Sequence, residues 1–308
     1  AQSAERLTRN EQVLGSIPSS GFPHPMSDLR AWLSECRVCP NRCRVDRRQG
    51  QKGRCRLTDA LTVSSADLHF GEEPVLVGRG GSGTIFFTAC NLGCVFCQNY
   101  DISQLDRGSP VSEAELVRLA LGLQERGAEN INLVSPTHQA PMIFEALKKA
   151  RRQGLSLPIV YNCGGYENPE FLRELEGLVD IYMPDFKYGS DDAALEYSGV
   201  TGYVRWCRES LLEMQRQTGE LALNGRGVAV RGLLVRHLVL PEGLAGSRAV
   251  IDFLAERISG HTYLNIMDQY RPCFRAHEHR KLSRRVFRHE VEEVVGYARE
   301  KGMDRLLY

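Results

Sequence analysis

The sequence predicts an α/β protein with a mostly parallel six-strand sheet, and three observations carry that expectation. From Thr84 onward, short apolar stretches alternate with longer helical runs, the pattern of repeated strand–helix units. Helix punctuation falls where that reading needs it: Ser112 as an N-cap, Pro141 in a first turn, and Gly127 and Gly154 just past helical runs. Polar residues gather near the ends of the proposed strands, where a parallel sheet presents its ligand face.

The elements follow in order. Residues 1–27 read as an N-terminal arm or linker, with a short helical attempt over Glu5 to Leu14 and a Pro- and Gly-containing stretch over Gly15 to Pro25. Residues 28–75 read as a cysteine-rich module packed on the core, ending in an extended stretch from Leu61 to Leu68. Residues 76–308 read as the core itself. Its strands are predicted at Thr84 to Thr88, Asn130 to Val134, Pro158 to Asn162, Val179 to Met183, Leu233 to Leu238 and His261 to Met267. Its helices are predicted at Glu113 to Arg126, Pro141 to Gln153, Pro169 to Glu176, Asp191 to Arg216, Gly246 to Ile258 and Arg284 to Lys301.

A chain of 308 residues accommodates one large domain with a small appendage. With 25% charged and 42% apolar residues and a net charge of +1, it is neither disordered nor fibrous in composition. The charge is uneven. Arg37, Arg42, Arg44, Arg47, Arg48, Lys52, Arg54 and Arg56 face only Asp46 across residues 37–56, either as a solvated face around a metal-bound loop or as a patch for an anionic partner. No run of 18 apolar residues occurs and the first residues lack the apolar segment of a secretory signal. A reducing, cytoplasmic setting without a membrane span is therefore expected, in which ten cysteines point to metal ligands rather than disulfides.

Asn132, Ser135, Asn162, Asp185, Lys187, His237 and Asp268 all fall near or just beyond the predicted strand ends. Directly after the first strand, the segment CNLGCVFCQNY places Cys90, Cys94 and Cys97 in one tight loop with no fourth cysteine nearby. A structural zinc site asks for four protein ligands, whereas an Fe-S cubane held by three thiolates keeps one iron open for a ligand. A zinc knuckle completed by Cys163 or His138 is the alternative.

The Cys-x3-Cys-x2-Cys spacing, with Phe96 before the last cysteine, resembles the signature of the radical S-adenosylmethionine superfamily. The segments GRGGSGTIFFTACNLGCVFCQNYDIS, NINLVSPTHQAP, IVYNCGGYE, VDIYMPDFKYG, LLVRHLVLPEG and LNIMDQYRP further resemble the pyruvate formate-lyase-activating-enzyme-like Fe-S proteins, over about residues 30–300. The resemblance implies an incomplete (β/α)6 TIM-like barrel of the radical SAM type. It also implies a [4Fe-4S] cluster on Cys90, Cys94 and Cys97 whose open iron is chelated by S-adenosylmethionine. Reductive cleavage then gives methionine and a 5'-deoxyadenosyl radical that takes hydrogen from a substrate.

Residue by residue, the resemblance makes Asp185 and Lys187 the acid-x-lysine pair of the catalytic site. It makes Asn132, Ser135, Thr137, Asn162 and His237 contacts to the cofactor, and the Gly164–Gly165 pair would let backbone approach a ligand closely. Arg236 is expected on the opposite side of its strand from His237, bracing a helix. Where relatives that activate glycyl-radical enzymes carry Gly-Gly-Glu, this chain has Ser135, Pro136, Thr137 and His138. Near the C-terminus, Asn265, Asp268, Gln269, Tyr270 and Arg271 form a polar strand exit, and the last four are the substrate-recognition candidates. Tyr270 and Cys163 either relay a radical or simply pack, and Cys207 and Cys273 fit packing roles.

Upstream, Cys36-x2-Cys39-x3-Cys43-x11-Cys55 offers four soft ligands in a loop too short for its own core. The spacing admits a structural zinc ion, an additional Fe-S cluster, or reduced packed thiols. The leading function is a radical SAM enzyme acting on an unidentified small molecule or peptide, served by a one-electron reductant such as flavodoxin or ferredoxin. An activase acting on a protein glycine is one alternative, and a basic Fe-S or zinc protein binding nucleic acid is another. No Phe, Tyr or Trp between Trp32 and Phe70 is available for base stacking, so nucleic acid is disfavoured. A lid is expected from Gly189 to Gly202 with its neighbouring tyrosines, or from the N-terminal arm.

Overall fold

In the computed structural model, which describes residues 28–308, the apolar runs become strands of one sheet. The arm expected over residues 1–27 lies outside the described residues. In chain order the strands are β1 (Leu61–His69), β2 (Ser82–Phe87), β3 (Ser109–Val111), β4 (Ile131–Val134), β5 (Ile159–Cys163), β6 (Ile181–Pro184), β7 (Ala222–Leu223), β8 (Ala229–Leu238), β9 (Tyr263–Met267) and β10 (Leu306–Leu307). Their spatial order is β10-β9-β8-β6-β5-β4-β2-β1-β3, with β7 flanking β8. All pairings from β2 through β10 along that path are parallel, while β1, β3 and β7 pair antiparallel. The path ends at β3 and β10 without closing, so the fold is the expected α/β partial barrel.

The helices are α1 (Pro74–Val77), α2 (Tyr100–Ser103), α3 (Glu113–Glu125), α4 (Ala140–Arg152), α5 (Pro169–Arg173), α6 (Asp191–Ser198), α7 (Tyr203–Thr218), α8 (Ser247–Phe253) and α9 (Arg288–Glu300). Ser112 caps α3 in a capping box with Glu115. The single helix expected over Asp191 to Arg216 is two. Gly199 and Gly202, both at φ +64°, sit in the left-handed region that ends α6 and starts α7. The expected lid is a packed segment instead: Tyr188, Tyr197 and Tyr203 are all buried in the main core.

Strand alternation separates two apolar layers. Ile131, Leu133, Ile159, Tyr161 and Tyr182 belong to the outer core beneath the helices. Val160, Ile181, Met183, Ala229 and Leu234 form the inner cluster with Leu76 of α1. Because β1 runs antiparallel to β2, the chain after His69 is delivered to the base of the barrel, where α1 plugs it. The Leu76 carbonyl accepts a hydrogen bond from Asn130 Nδ2 at 2.7 Å.

Residues 28–60 contain only two short 3-10 turns, Leu29–Leu33 and Arg47–Gln49. They are anchored by Leu29, Leu33 and Val38 in the main core and by Trp32, edge-on to Phe171 of α5 at 5.4 Å. Arg47 is fully buried and donates to the carbonyls of His138 at 2.6 Å and Thr58 at 2.5 Å. Others of the basic run also engage this chain, Arg42 with Glu170, Arg44 with Glu35 and Arg56 with Asp106. Among the described residues no helix is long and apolar enough to cross a membrane.

Candidate active site

The loop that follows β2 carries Cys90, Cys94 and Cys97 onto the C-terminal mouth of the barrel. They line a cavity of about 200 Å³ together with Asn162, Asp185 and Lys187 from the ends of β5 and β6. The thiols are held by their own shell. Cys94 Sγ lies 2.9 Å from the Ser198 hydroxyl, Cys97 Sγ lies 3.2 Å from the Ser103 hydroxyl, and the Leu92 N–H donates to Cys90 Sγ at 3.4 Å. Burial pushes the Cys90 thiol up to about 12, and Cys94 and Cys97 add to that shift while Lys187 opposes it. Burial and Cys94 raise the Cys97 thiol as well, and thiols raised in this way become thiolates only beside a strong positive partner, which is what a metal centre supplies.

Opposite the thiols, charged groups from β6 and β8 meet those from the segment leading into α1. Lys187 Nζ lies 2.5 Å and Arg236 Nε 2.7 Å from the Asp185 carboxylate, and Arg236 Nη2 donates to Asn162 Oδ1 at 2.7 Å. From below, Glu72 and Glu73 each approach Arg236 at 3.7 Å, and Asn265 Nδ2 donates to Glu73 at 3.0 Å. Burial disfavours charge on Asp185, but Arg236 and Lys187 outweigh it and hold its carboxyl below the usual range. Glu72 goes the other way: burial lifts it to about 7, with Arg236 opposing and Glu73 adding to the rise.

Several expected residues are placed elsewhere. His237 faces outward, not into the cavity. Its Nδ1–H donates to the Phe186 carbonyl at 2.6 Å, leaving Nε2 to accept from the Ser247 hydroxyl of α8 at 2.8 Å. Burial lowers its pKa to about 4, so it is a neutral, satisfied core histidine. Arg236 is the residue turned inward, the reverse of the expected pair. Thr137 is off the cavity wall because its hydroxyl donates to buried Glu167 at 2.7 Å. Asn132 lies deeper than Asn162: its register partner on β5 is Val160, and both of its amide atoms are buried without a hydrogen-bond partner.

Ser135 lines the cavity, in the left-handed region at φ 55°. Gln269 edges the mouth, where its carbonyl accepts from Gln98 at 3.2 Å. Tyr270 is buried, donates to the Leu282 carbonyl at 2.7 Å and packs on Phe96 at 5.9 Å, while Asp268 and Arg271 are exposed. Cys163 lines the cavity, Cys207 is buried behind it, and Cys273 is half-buried. Cys36, Cys39, Cys43 and Cys55 lie together in the N-terminal module, and all ten cysteines are free thiols. Among the described residues, no three His, Cys, Asp or Glu side chains converge on a point that a single metal ion would occupy.

An open parallel barrel with a three-thiol loop at its C-terminal mouth defines the class of fold in which radicals are generated from S-adenosylmethionine. The sequence model of the radical SAM superfamily matches residues 84–223. The uncharacterized protein MJ0674 of Methanocaldococcus jannaschii is 31% identical over 286 residues, covering 90% of this chain and 77% of that protein. A pyruvate formate-lyase-activating enzyme of Clostridium pasteurianum is 26% identical over 180 residues, 56% of this chain and 68% of that protein. Among solved structures, HydG, a maturase of the [FeFe]-hydrogenase, shares the fold with a TM-score of 0.50 at 12% identity, covering 72% of this chain and 50% of that one. The chain thus spans about half the length of that structural neighbour.

The chain belongs to the radical SAM superfamily. It is an enzyme that works with a [4Fe-4S] cluster and S-adenosylmethionine, and it requires a reductant and a substrate.

Proposed function

We propose that Cys90, Cys94 and Cys97 hold the [4Fe-4S] cluster and that the enzyme abstracts hydrogen from a small molecule or peptide rather than from a protein glycine. One observation carries this reading: the three thiols and the Lys187–Asp185–Arg236 charge network line or underlie the same cavity. The donor set fits the group, since three soft thiolates ligate three irons and leave the fourth open. Bound there, the cluster with S-adenosylmethionine supplies one-electron cleavage of the sulfonium and hydrogen abstraction.

The chain's own residues bind and orient. Lys187 offers a fixed ammonium to an anionic group of cofactor or substrate, and Asp185 holds that ammonium in place. Arg236 keeps Asp185 and Asn162 pointed at the cavity. Phe96, packed between Tyr188 and Tyr270, keeps water from the back of the cysteine loop. The preference for a small or peptidic substrate rests on residues 135–138. In place of the Gly-Gly-Glu of glycyl-radical activases, Ser135 faces the cavity, Thr137 bonds Glu167, and His138 Nε2 donates to the Thr88 carbonyl, so no carboxylate is offered there.

Anaerobic reconstitution followed by reduction and chromatography for 5'-deoxyadenosine tests the assignment. The parent chain should form it, and Cys94→Ala should form none. Equal product from both would remove the cluster from this loop.

A further inference from the structure

The N-terminal cysteines are a motif that the proposed reaction does not use. Cys36, Cys39 and Cys55 are buried and Cys43 is half-buried, in a segment whose only regular structure before β1 is two short turns. The backbone brings them together: the Cys36 N–H donates to the Val45 carbonyl at 2.9 Å, the Arg44 N–H donates to the Cys36 carbonyl at 3.1 Å, and the Arg54 N–H, beside Cys55, donates to Cys43 Sγ at 3.2 Å. Unbridged thiols gathered in a loop without its own core call for a common partner that fixes them.

Geometry separates two such partners. A tetrahedral zinc ion holds every sulfur at about 2.3 Å and therefore brings the sulfurs to within about 3.8 Å of one another. No three cysteine, histidine or carboxylate side chains among the described residues meet in that way. A cubane asks for a different arrangement, because each thiolate binds its own iron at a separate corner and the sulfurs stay apart.

The surroundings also suit an anionic cluster. Cys43 Sγ accepts from the Arg54 backbone N–H at 3.2 Å, Cys39 Sγ from Asn41 Nδ2 at 3.7 Å, and Cys36 Sγ from Arg47 Nη1 at 3.9 Å. Hydrogen bonds to sulfur are a means by which proteins set cluster potentials.

Two connections tie this module to the catalytic loop. Asn41 Nδ2, which touches Cys39 Sγ, also donates to the Asn91 carbonyl at 2.8 Å, next to Cys90. Arg54 Nη2 donates to the Ser198 carbonyl at 3.4 Å, and the Ser198 hydroxyl is the group beside Cys94.

We propose that Cys36, Cys39, Cys43 and Cys55 hold a second, fully ligated [4Fe-4S] cluster that relays electrons to the cluster site on the Cys90 loop. Four thiolates on four irons leave no open position, so this cluster does not bind S-adenosylmethionine. A flavin or Fe-S donor gives it one electron, and the same electron passes on to the loop cluster, which returns the N-terminal cluster to its resting state. No bond forms or breaks and no proton moves. The destination of the electron rests on the assignment of Cys90, Cys94 and Cys97, but the metal content does not.

Iron, sulfide and zinc are measured per chain on the anaerobically reconstituted full-length protein, with EPR after reduction, for the parent, Cys94→Ala and Cys39→Ser. The parent should hold twice the iron of either variant. Cys94→Ala leaves the N-terminal module untouched and should keep one cluster whose signal ignores added S-adenosylmethionine, whereas Cys39→Ser should keep one whose signal responds to it. Cleavage by Cys39→Ser driven by flavodoxin should fall about tenfold while cleavage driven by dithionite is unchanged. Stoichiometric zinc in the parent, or no iron on Cys94→Ala, overturns the proposal, and equal loss with both reductants overturns the relay role. Iron unchanged by Cys94→Ala, with sulfide and EPR of a single cluster, would instead sink the assignment of the catalytic loop and leave the N-terminal cluster standing.

Discussion

Arg236 is the residue whose removal tests the charge network most directly. Its side chain is 16% exposed and faces three carboxylates, on Asp185, Glu72 and Glu73, that are 14%, 9% and 4% exposed. In Arg236→Leu only Lys187 remains to compensate them, and breaking a buried pair by removing one partner costs about 3–5 kcal/mol. The cost should also depend on pH. In the parent, Glu72 releases its proton near 4.5 when unfolded and near 7 when folded, so stability falls as pH rises between those values. Arg236 opposes that rise, so its loss moves the folded value higher and extends the falling window above pH 7. Each further unit adds about 1.4 kcal/mol of destabilisation on the alkaline side. Thermal melts of the apo-protein at pH 6 and pH 8.5 should show the larger drop at pH 8.5, at about 2 °C per kcal/mol. A drop equal at both pH values, or worth less than about 1 kcal/mol, would refute the buried-network reasoning.

Two further perturbations separate packing from chemistry. His237→Ala removes bonds to Phe186 and Ser247 and opens a void, so it should lower stability by about 2–4 kcal/mol while leaving S-adenosylmethionine binding, measured by equilibrium dialysis, unchanged; weakened binding in a still-folded variant would put His237 back at the cofactor. Glu167, lifted to about 7 by burial although Thr137 and Tyr161 both donate to it, loses stability as pH climbs from about 4.5 to about 7. Glu167→Gln should remove Glu167's share of that slope, leaving the share of Glu72, and should melt higher than the parent at pH 8.5; a slope as steep as the parent's would show that Glu167 is ionised in the fold.

The sheet was legible because six of its seven parallel strands, all but β10, are apolar runs between helical segments, and such runs keep their identity whatever packs on them. Ser112 and Glu115 even specify their capping box locally. The break between α6 and α7 was less visible. The segment Gly199-Val200-Thr201-Gly202 between two helical runs carries a pair of glycines, and their positive φ in the folded turn ends one helix and begins the next. The membership of β1 in the same sheet is likewise non-local, since its partners Phe87 and Val111 lie far along the chain.

The site was legible where chemistry concentrates in a short loop and obscure where it depends on facing. Alternation fixes that Arg236 and His237 point to opposite sides of β8, but it does not say which side is the cavity. A half-exposed strand would answer through its polar face. The C-terminal half of β8 is covered on both faces: Leu234 and Leu238 lie inward and Val235 outward, so the pattern is apolar either way. The choice is made by partners that arrive from elsewhere. Glu72 and Glu73 come up through the base of the barrel and Asp185 comes down from β6, and three carboxylates in a low-dielectric interior select the guanidinium over a histidine that is easily left neutral. His237, refused that place, finds a carbonyl and a hydroxyl on the helix side, where a neutral ring can satisfy both nitrogens. The same reasoning explains why Glu72 and Glu73 went unnoticed in sequence. Two glutamates after a strand look like solvated loop residues until the chain between β1 and β2 is seen to fill the barrel from below.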